Sequence, residues 1–285
     1  MKIAFVCDTG TGLNPIELEA LGVYGVPLQI TIDDTTKLEG IEIGVDEVYA
    51  LMQEGKMLKT SLASSDRCEQ LFTRLKNEGY EMIFAIPICT GLSGTINMMR
   101  LCADRIGLQF DYYDCCVTAM VERYMCIRAK ELYDQGKSIG EIKLIMNDIV
   151  NSANTLLIPD DLQHLKRGGR LTPLAATLGG FLKIKPILQI GKKTEGKIDV
   201  LDKVRTSTKA MARCVDIMKK EIDAQEGEGY SITVAHVVCE EKGQQLLSMY
   251  KEAFPKADFH FIKLVSVVGV HTGIGCLATQ YFKKY

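Results

Sequence analysis

Short apolar runs alternate with helical patterns through the first half of the chain, and this alternation restricts the fold more than any other feature. Residues 2–7, 26–32, 82–88 and 109–113 have the length and apolar content of strands. Between them, 15–21, 45–52, 65–76 and 95–103 carry helical spacing. In 65–76 the apolar residues Cys68, Leu71, Phe72 and Leu75 fall on one face behind a Ser/Asp start. Two longer helical patterns follow, over 117–133 and 139–150. Strands separated by helices need crossover connections, so the reading is an α/β fold whose mainly parallel sheet is flanked by helices.

The texture changes after Thr155. Residues 184–190 and 197–204 read as a strand pair joined by the loop 191–196. A helix over 207–222, a strand over 231–238, a helix over 241–254, a strand region over 258–268 and a final helix over 274–282 complete the pattern. The expectation is two domains, 1–155 with the parallel sheet and 156–285 with a mixed sheet and helices. The 285-residue length is ample for the sizeable core this demands.

Several function classes are disfavoured. The longest apolar stretches, 82–89 and 264–270, fall far short of the ~18 residues a membrane span requires, so no stable membrane insertion is expected. The apolar run before Asp8 is too short for a signal peptide. The ten cysteines form no C-x-x-C pair and sit mostly in apolar segments, which reads as reduced core thiols in a cytoplasm. No metal is expected, since none of the four histidines stands at ligand spacing to a cysteine. A net charge of −2 gives no bulk attraction to nucleic acid. That net value conceals an asymmetry. Between Lys166 and Arg213, twelve basic residues face three acidic ones, so this block carries +9 and the remainder −11. Such a block is either a solvated surface or a docking face for an anionic partner.

Four segments could carry chemistry. In Cys89-Thr90-Gly91-Leu92-Ser93-Gly94-Thr95 a buried strand gives way to a helix start, where free N–H groups and the positive dipole end can receive a carboxylate or phosphate. Ser93 could donate to that anion, or simply cap the helix. Lys59-Thr60-Ser61-Leu62-Ala63-Ser64-Ser65 is a second hydroxyl-rich loop before a helix. Lys166-Arg167-Gly168-Gly169-Arg170-Leu171-Thr172 couples two glycines to an arginine able to hold an acid or orient a neighbour. Gly269-Val270-His271-Thr272-Gly273-Ile274-Gly275 places a histidine in a Gly-rich turn, read here as a strand end before a helix. No Walker P-loop exists, and Gly10-Thr11-Gly12 lacks the third glycine of the dinucleotide fingerprint, so no nucleotide cofactor is expected.

Taken in order, these segments resemble the bacterial DegV family. The set comprises the Asp-Thr turn at Asp8-Thr9, Thr60-Ser61, Gly91-Leu92-Ser93-Gly94-Thr95 and Gly168-Gly169-Arg170-Leu171-Thr172. It continues with Leu182-Lys183-Ile184-Lys185-Pro186-Ile187-Leu188, Val204-Arg205-Thr206, Ala235-His236 and His271-Thr272-Gly273. The resemblance implies a lipid-binding subunit of a bacterial fatty acid kinase, not itself an enzyme. One long-chain fatty acid would lie in an apolar tunnel between the domains. Its carboxylate would be held by Thr60, Ser61, Ser93, Gly94, Thr95 and His271, with Arg170 and Thr272 supporting and orienting. A separate ATP-dependent kinase subunit would phosphorylate the carboxylate, and Arg205 matches a position linked to docking of that kinase. Apolar residues in 174–188 and 98–102 are candidate tunnel walls.

The chain departs from the family pattern at four places. Ala63 replaces the usual Pro, and Asp8-Thr9-Gly10-Thr11-Gly12-Leu13 departs from the common first loop. Cys115-Cys116 stands where a Ser/Gly-rich turn is usual, and Ile274 follows His271-Thr272-Gly273. These changes bear on chain-length and unsaturation preference. A serine hydrolase using Ser93 with His271 or His236 is the alternative of another class, although Gly91-Leu92-Ser93-Gly94-Thr95 is not a nucleophile-elbow motif. A binder of some other apolar carboxylate is the third reading.

Overall fold

The computed structural model describes residues 1–177, 184–222 and 225–285. Leu182, Lys183 and the middle of the candidate wall segment 174–188 lie outside the described residues. The chain forms two compact units. One comprises Met1–Asn147 with Val265–Val267, the other Asp148–Leu264 with Val268–Tyr285.

The first unit is built on β1 (Ile3–Asp8), β2 (Tyr24–Val26), β6 (Met82–Ala85) and β7 (Gln109–Tyr112), which form a fully parallel sheet in the order β2-β1-β6-β7. All residues of β1 and β6 are buried. Strands covered on both faces read as continuous apolar runs, which is why these two were visible in the sequence. Phe5 and Phe84 meet edge to face across them, with ring centroids 5.6 Å apart. A small antiparallel sheet, β4-β3-β5, joins β3 (Gln29–Ile32), β4 (Thr35–Leu38) and β5 (Leu58–Ser61). The helices are α1 (Pro15–Ala20), α2 (Val45–Gln53), α3 (Ser65–Asn77), α4 (Thr95–Ile106) and α5 (Ala119–Asp134), followed by α6 (Ile139–Ser152). On α3, of the four residues on the predicted face, Cys68, Phe72 and Leu75 are buried and Leu71 is half-buried.

The second unit carries a mixed six-stranded sheet, β10-β9-β8-β13-β11-β12. Its strands are β8 (Asn154–Ile158), β9 (Lys185–Gly191), β10 (Asp199–Val204), β11 (Tyr230–His236), β12 (Asp258–Lys263) and β13 (Leu277–Lys283). Only β11 and β12 pair in parallel; the other neighbours are antiparallel. Its helices are α7 (Leu162–Arg167), α8 (Pro173–Ala176), α9 (Ser207–Glu221), α10 (Glu240–Ala253) and α11 (Ser266–Thr272). Helices α9 and α10 bury Met218, Leu246 and Tyr250 against Ile187, Ile232, Val234 and Tyr281 of the sheet.

Four local expectations are corrected. The final helix over 274–282 is the strand β13, buried along Leu277–Phe282 between β8 and β11. Burial on both faces erased the alternation that marks a strand, and tertiary packing overrode the helix preference of Leu and Ala. The strand region 258–268 ends at Lys263, and α11 begins at Ser266, so His271 lies in the last turn of a helix rather than at a strand end. The strand over 26–32 is two strands in different sheets, separated at Pro27-Leu28. Proline cannot donate to a ladder and breaks the run there. The hydroxyl-rich loop at Thr60-Ser61 is strand β5, whose alternation of exposed and buried residues is too brief to register in sequence.

Candidate functional site

In the parallel sheet the chain moves outward from β1 to β2 on one side and from β6 to β7 on the other. The strand order therefore reverses between β1 and β6. Open α/β sheets receive ligands outside the C-terminal ends of their strands at such a reversal, because the loops there diverge and leave a crevice. Here those loops are 9–14, which includes a 3-10 turn at Thr9–Thr11, and 86–94.

Ser93 stands at the end of the second loop. Its N–H and that of Leu92 both donate to Cys89 O, at 3.1 Å, which folds the loop into a tight turn. Ser93 Oγ lies 2.9 Å from Thr95 Oγ1 and accepts from Thr95 N at 3.3 Å. The cap residue of α4 is Gly94, which has no side chain, so beyond the Thr95 N–H taken by Ser93 no cap closes that helix start. The first turn of α4 thus keeps backbone donors and the positive dipole end for an anion. Gly94 is exposed, Ser93 is half-buried and Thr95 is buried. The Thr60-Ser61 strand comes close: Leu62 Cδ2 would lie 3.6 Å from a Cβ at Gly94. Thr60 pairs with Ile30 and Ser61 with Gln29 of β3. Thr60 is half-buried, two residues before Leu62, whose exposed side chain reaches the Ser93 loop.

A cluster of three buried acids underlies these loops; Asp8 belonged to a sequence motif, whereas nothing singled out Glu39 or Glu122. Asp8, at the end of β1, accepts from Gly10 N at 2.7 Å and from Ile88 N at 3.1 Å, so it ties the two crevice loops together. Glu122 of α5 is fully buried beside it, and Thr118 Oγ1 shares its hydrogen between Glu122 Oε2 (3.0 Å) and Gly10 O (3.2 Å). Burial, followed by the Asp8 charge, holds the Glu122 carboxyl well above the usual carboxylate range. Glu39 accepts from the hydroxyls of Thr9 and Ser266 and from Val267 N. Burial pushes it up to about 7 against those three donors. No group of three or more His, Cys, Asp or Glu suited to a metal ion occurs among the described residues.

In the second unit, His271 packs against the Gly168-Gly169-Arg170 turn. A Cβ at Gly168 would stand 2.7 Å from His271 Nδ1, so only glycine permits this approach. Arg170 Nη1 donates to Gly168 O at 2.6 Å, closing the turn. Burial, then the Arg170 charge, then His164, push the His271 imidazole down to about 4, so it is neutral at ordinary pH. Thr272 is buried, with its hydroxyl 3.5 Å from Gly269 O. Arg205 is exposed just before Thr206, the cap of α9. Of the candidate walls, Ile187 and Leu188 are fully buried, Ile187 within the second unit's core, whereas Leu174 and Leu101 are exposed.

The family model described as an uncharacterised protein of the DegV family matches residues 2–284. The chain belongs to the DegV family. A DegV domain-containing protein of Listeria monocytogenes is 31% identical over 285 residues, covering 99% of both chains. The crystal structure of a fatty acid binding DegV family protein from Streptococcus agalactiae matches with a TM-score of 0.88 at 29% identity, covering 100% of each chain. That of DegV, a fatty acid binding protein from Bacillus subtilis, matches with a TM-score of 0.86 at 26% identity, again over 100% of each chain. Among the described residues of this DegV protein, no helix is long and apolar enough to cross a membrane.

Proposed function

We propose that this DegV protein binds one long-chain fatty acid, whose carboxylate is received by Thr60, Ser93 and the first turn of α4, with His271 completing the polar end. The observation that carries this reading is the whole-chain likeness, at 29% identity, to the fatty acid binding protein of Streptococcus agalactiae. The local chemistry supports it. Hydroxyls, backbone N–H groups and a neutral imidazole pair with a carboxylate without burying an unpaired cation. Each buried CH₂ contributes about 0.8 kcal/mol, so the tail dominates affinity and the polar end sets orientation.

In its fuller form the reading makes the chain a cytoplasmic binding subunit with no catalysis of its own. A separate kinase would transfer the γ-phosphoryl group of ATP to the bound carboxylate, giving an acyl phosphate and ADP. The exposed Arg205 and the basic block around it are the candidate docking face for that kinase. The hydrolase alternative is weaker. Ser93 Oγ is partnered by Thr95 Oγ1, a neutral hydroxyl that cannot take its proton.

Ser93→Ala and Thr60→Ala are expected to weaken fatty acid retention about tenfold each while the unfolding transition is kept, because each removes one donor to the carboxylate. Wild-type retention in both variants would contradict the site. Labelling of Ser93 by a fluorophosphonate would favour the hydrolase instead.

A further inference from the structure

Two carboxyl groups of the first unit, Asp8 and Glu122, are fully buried and in hydrogen-bonding range of each other. Asp8 uses its two oxygens to accept from Gly10 N and Ile88 N, which suits an ionised carboxylate. Glu122 Oε2 accepts from Thr118, whereas Glu122 Oε1 meets no N–H or O–H donor. Among the described residues no cation forms an ion pair with either carboxyl, although the Arg123 charge attracts Glu122 at longer range. The Arg123 guanidinium directs Nε and Nη2 at Thr11 O, at 3.0 and 2.8 Å. The other groups facing Glu122 are the thiols of Cys7, Cys89, Cys115 and Cys126, and Glu39 faces Asp8. Two fully buried carboxylates in contact cannot both be ionised, because their repulsion at low dielectric exceeds the cost of taking up one proton. One proton must lie between them, and the donor set puts it on Glu122.

That proton has a mechanical consequence. Asp8 holds Ile88 N, the next residue Cys89 donates to Val117 O at 3.2 Å, and Cys89 O accepts the N–H of Ser93. The position of Ser93 therefore descends from Asp8 in two steps. We propose that Glu122 is a positioning residue of the carboxylate site: as a neutral acid it donates to Asp8, and Asp8 in turn holds the loop that presents Ser93. This rests on the fatty acid reading above for its role, but not for the shared proton itself.

The test compares Glu122→Gln, which keeps a donor but cannot ionise, with Glu122→Ala, which removes it. Infrared difference spectra at pH 8 are expected to show a protonated carboxylic acid band in the wild type that Glu122→Gln lacks. Palmitate affinity is expected to fall roughly tenfold to a hundredfold in Glu122→Ala and to be restored in Glu122→Gln, since an unmet buried acceptor costs that much. Absence of the band, or equal loss in both variants, overturns the proposal. A wild type that carries the band yet binds no palmitate overturns the function reading and the positioning role with it, while the shared proton stands.

Discussion

Gly168 has an ordinary helical backbone, φ −63°, so its missing side chain serves proximity and not conformation. A Cβ there would meet His271 Nδ1 at 2.7 Å and the backbone oxygen of Leu165 at 3.1 Å. Gly168→Ala is therefore expected to displace His271 and cost about 1–3 kcal/mol, read as a lowered melting temperature together with weaker ligand retention. Two titrating residues oppose one another. Glu39, raised from 4.5 to about 7, is protonated in the folded state over a range where the unfolded chain has lost its proton, so stability falls as pH rises from about 4.5 through 7. The loss is on the order of 3 kcal/mol, and Glu39→Gln is expected to abolish it in melting curves taken at pH 5 and 8. His271, lowered from 6.5 to about 4, acts in the other direction: the unfolded chain takes up a proton first, and stability falls as pH drops from about 6.5 to 4. Legibility differed among these residues. Ser93 and His271 are flanked by glycines in the sequence, which singled both out, although His271 proves to lie in the last turn of α11. Glu122 was missed, although its signal was present: Ala119, Glu122, Cys126 and Ala129 fall on one helical face, and an acid among buried residues there is anomalous.

Among the elements, β1 and β6 were legible because double-sided burial leaves an uninterrupted apolar run. The same cause hid β13, whose Leu277-Ala278-Thr279-Gln280 start looks helical by propensity. Only the register with β8 and β11, a matter of residues more than forty positions away, decides its conformation. Ala278 pairs with Ala235 on one side and Leu157 on the other. Ala278→Pro is expected to remove a ladder donor in the middle of the sheet, costing about 3 kcal/mol or more and abolishing cooperative unfolding of the second unit. An unchanged transition by circular dichroism would show that β13 contributes little to that sheet. The split between β2 and β3 followed from Pro27, a breaker visible in the sequence, while the short polar β4 and β5 carry no periodic signal at all.

At the scale of the whole molecule, the ordered spacing of weak motifs outweighed every single one of them. Gly91-Leu92-Ser93-Gly94-Thr95 alone is a helix start, and Gly168-Gly169-Arg170 alone is a turn. Their order and spacing pointed to the DegV family, which the match over residues 2–284 establishes. The net charge of −2 concealed a basic block of +9, so composition averaged over the chain would have hidden the proposed docking face. What the chain carries is the central claim. Native mass spectrometry of freshly purified protein, followed by organic extraction and lipid analysis, addresses it directly. The account predicts one co-purifying molecule per chain with the mass of a fatty acid of roughly C14–C20, long enough for its tail to dominate affinity. A protein that is empty as purified and also fails to take up added fatty acids would contradict it.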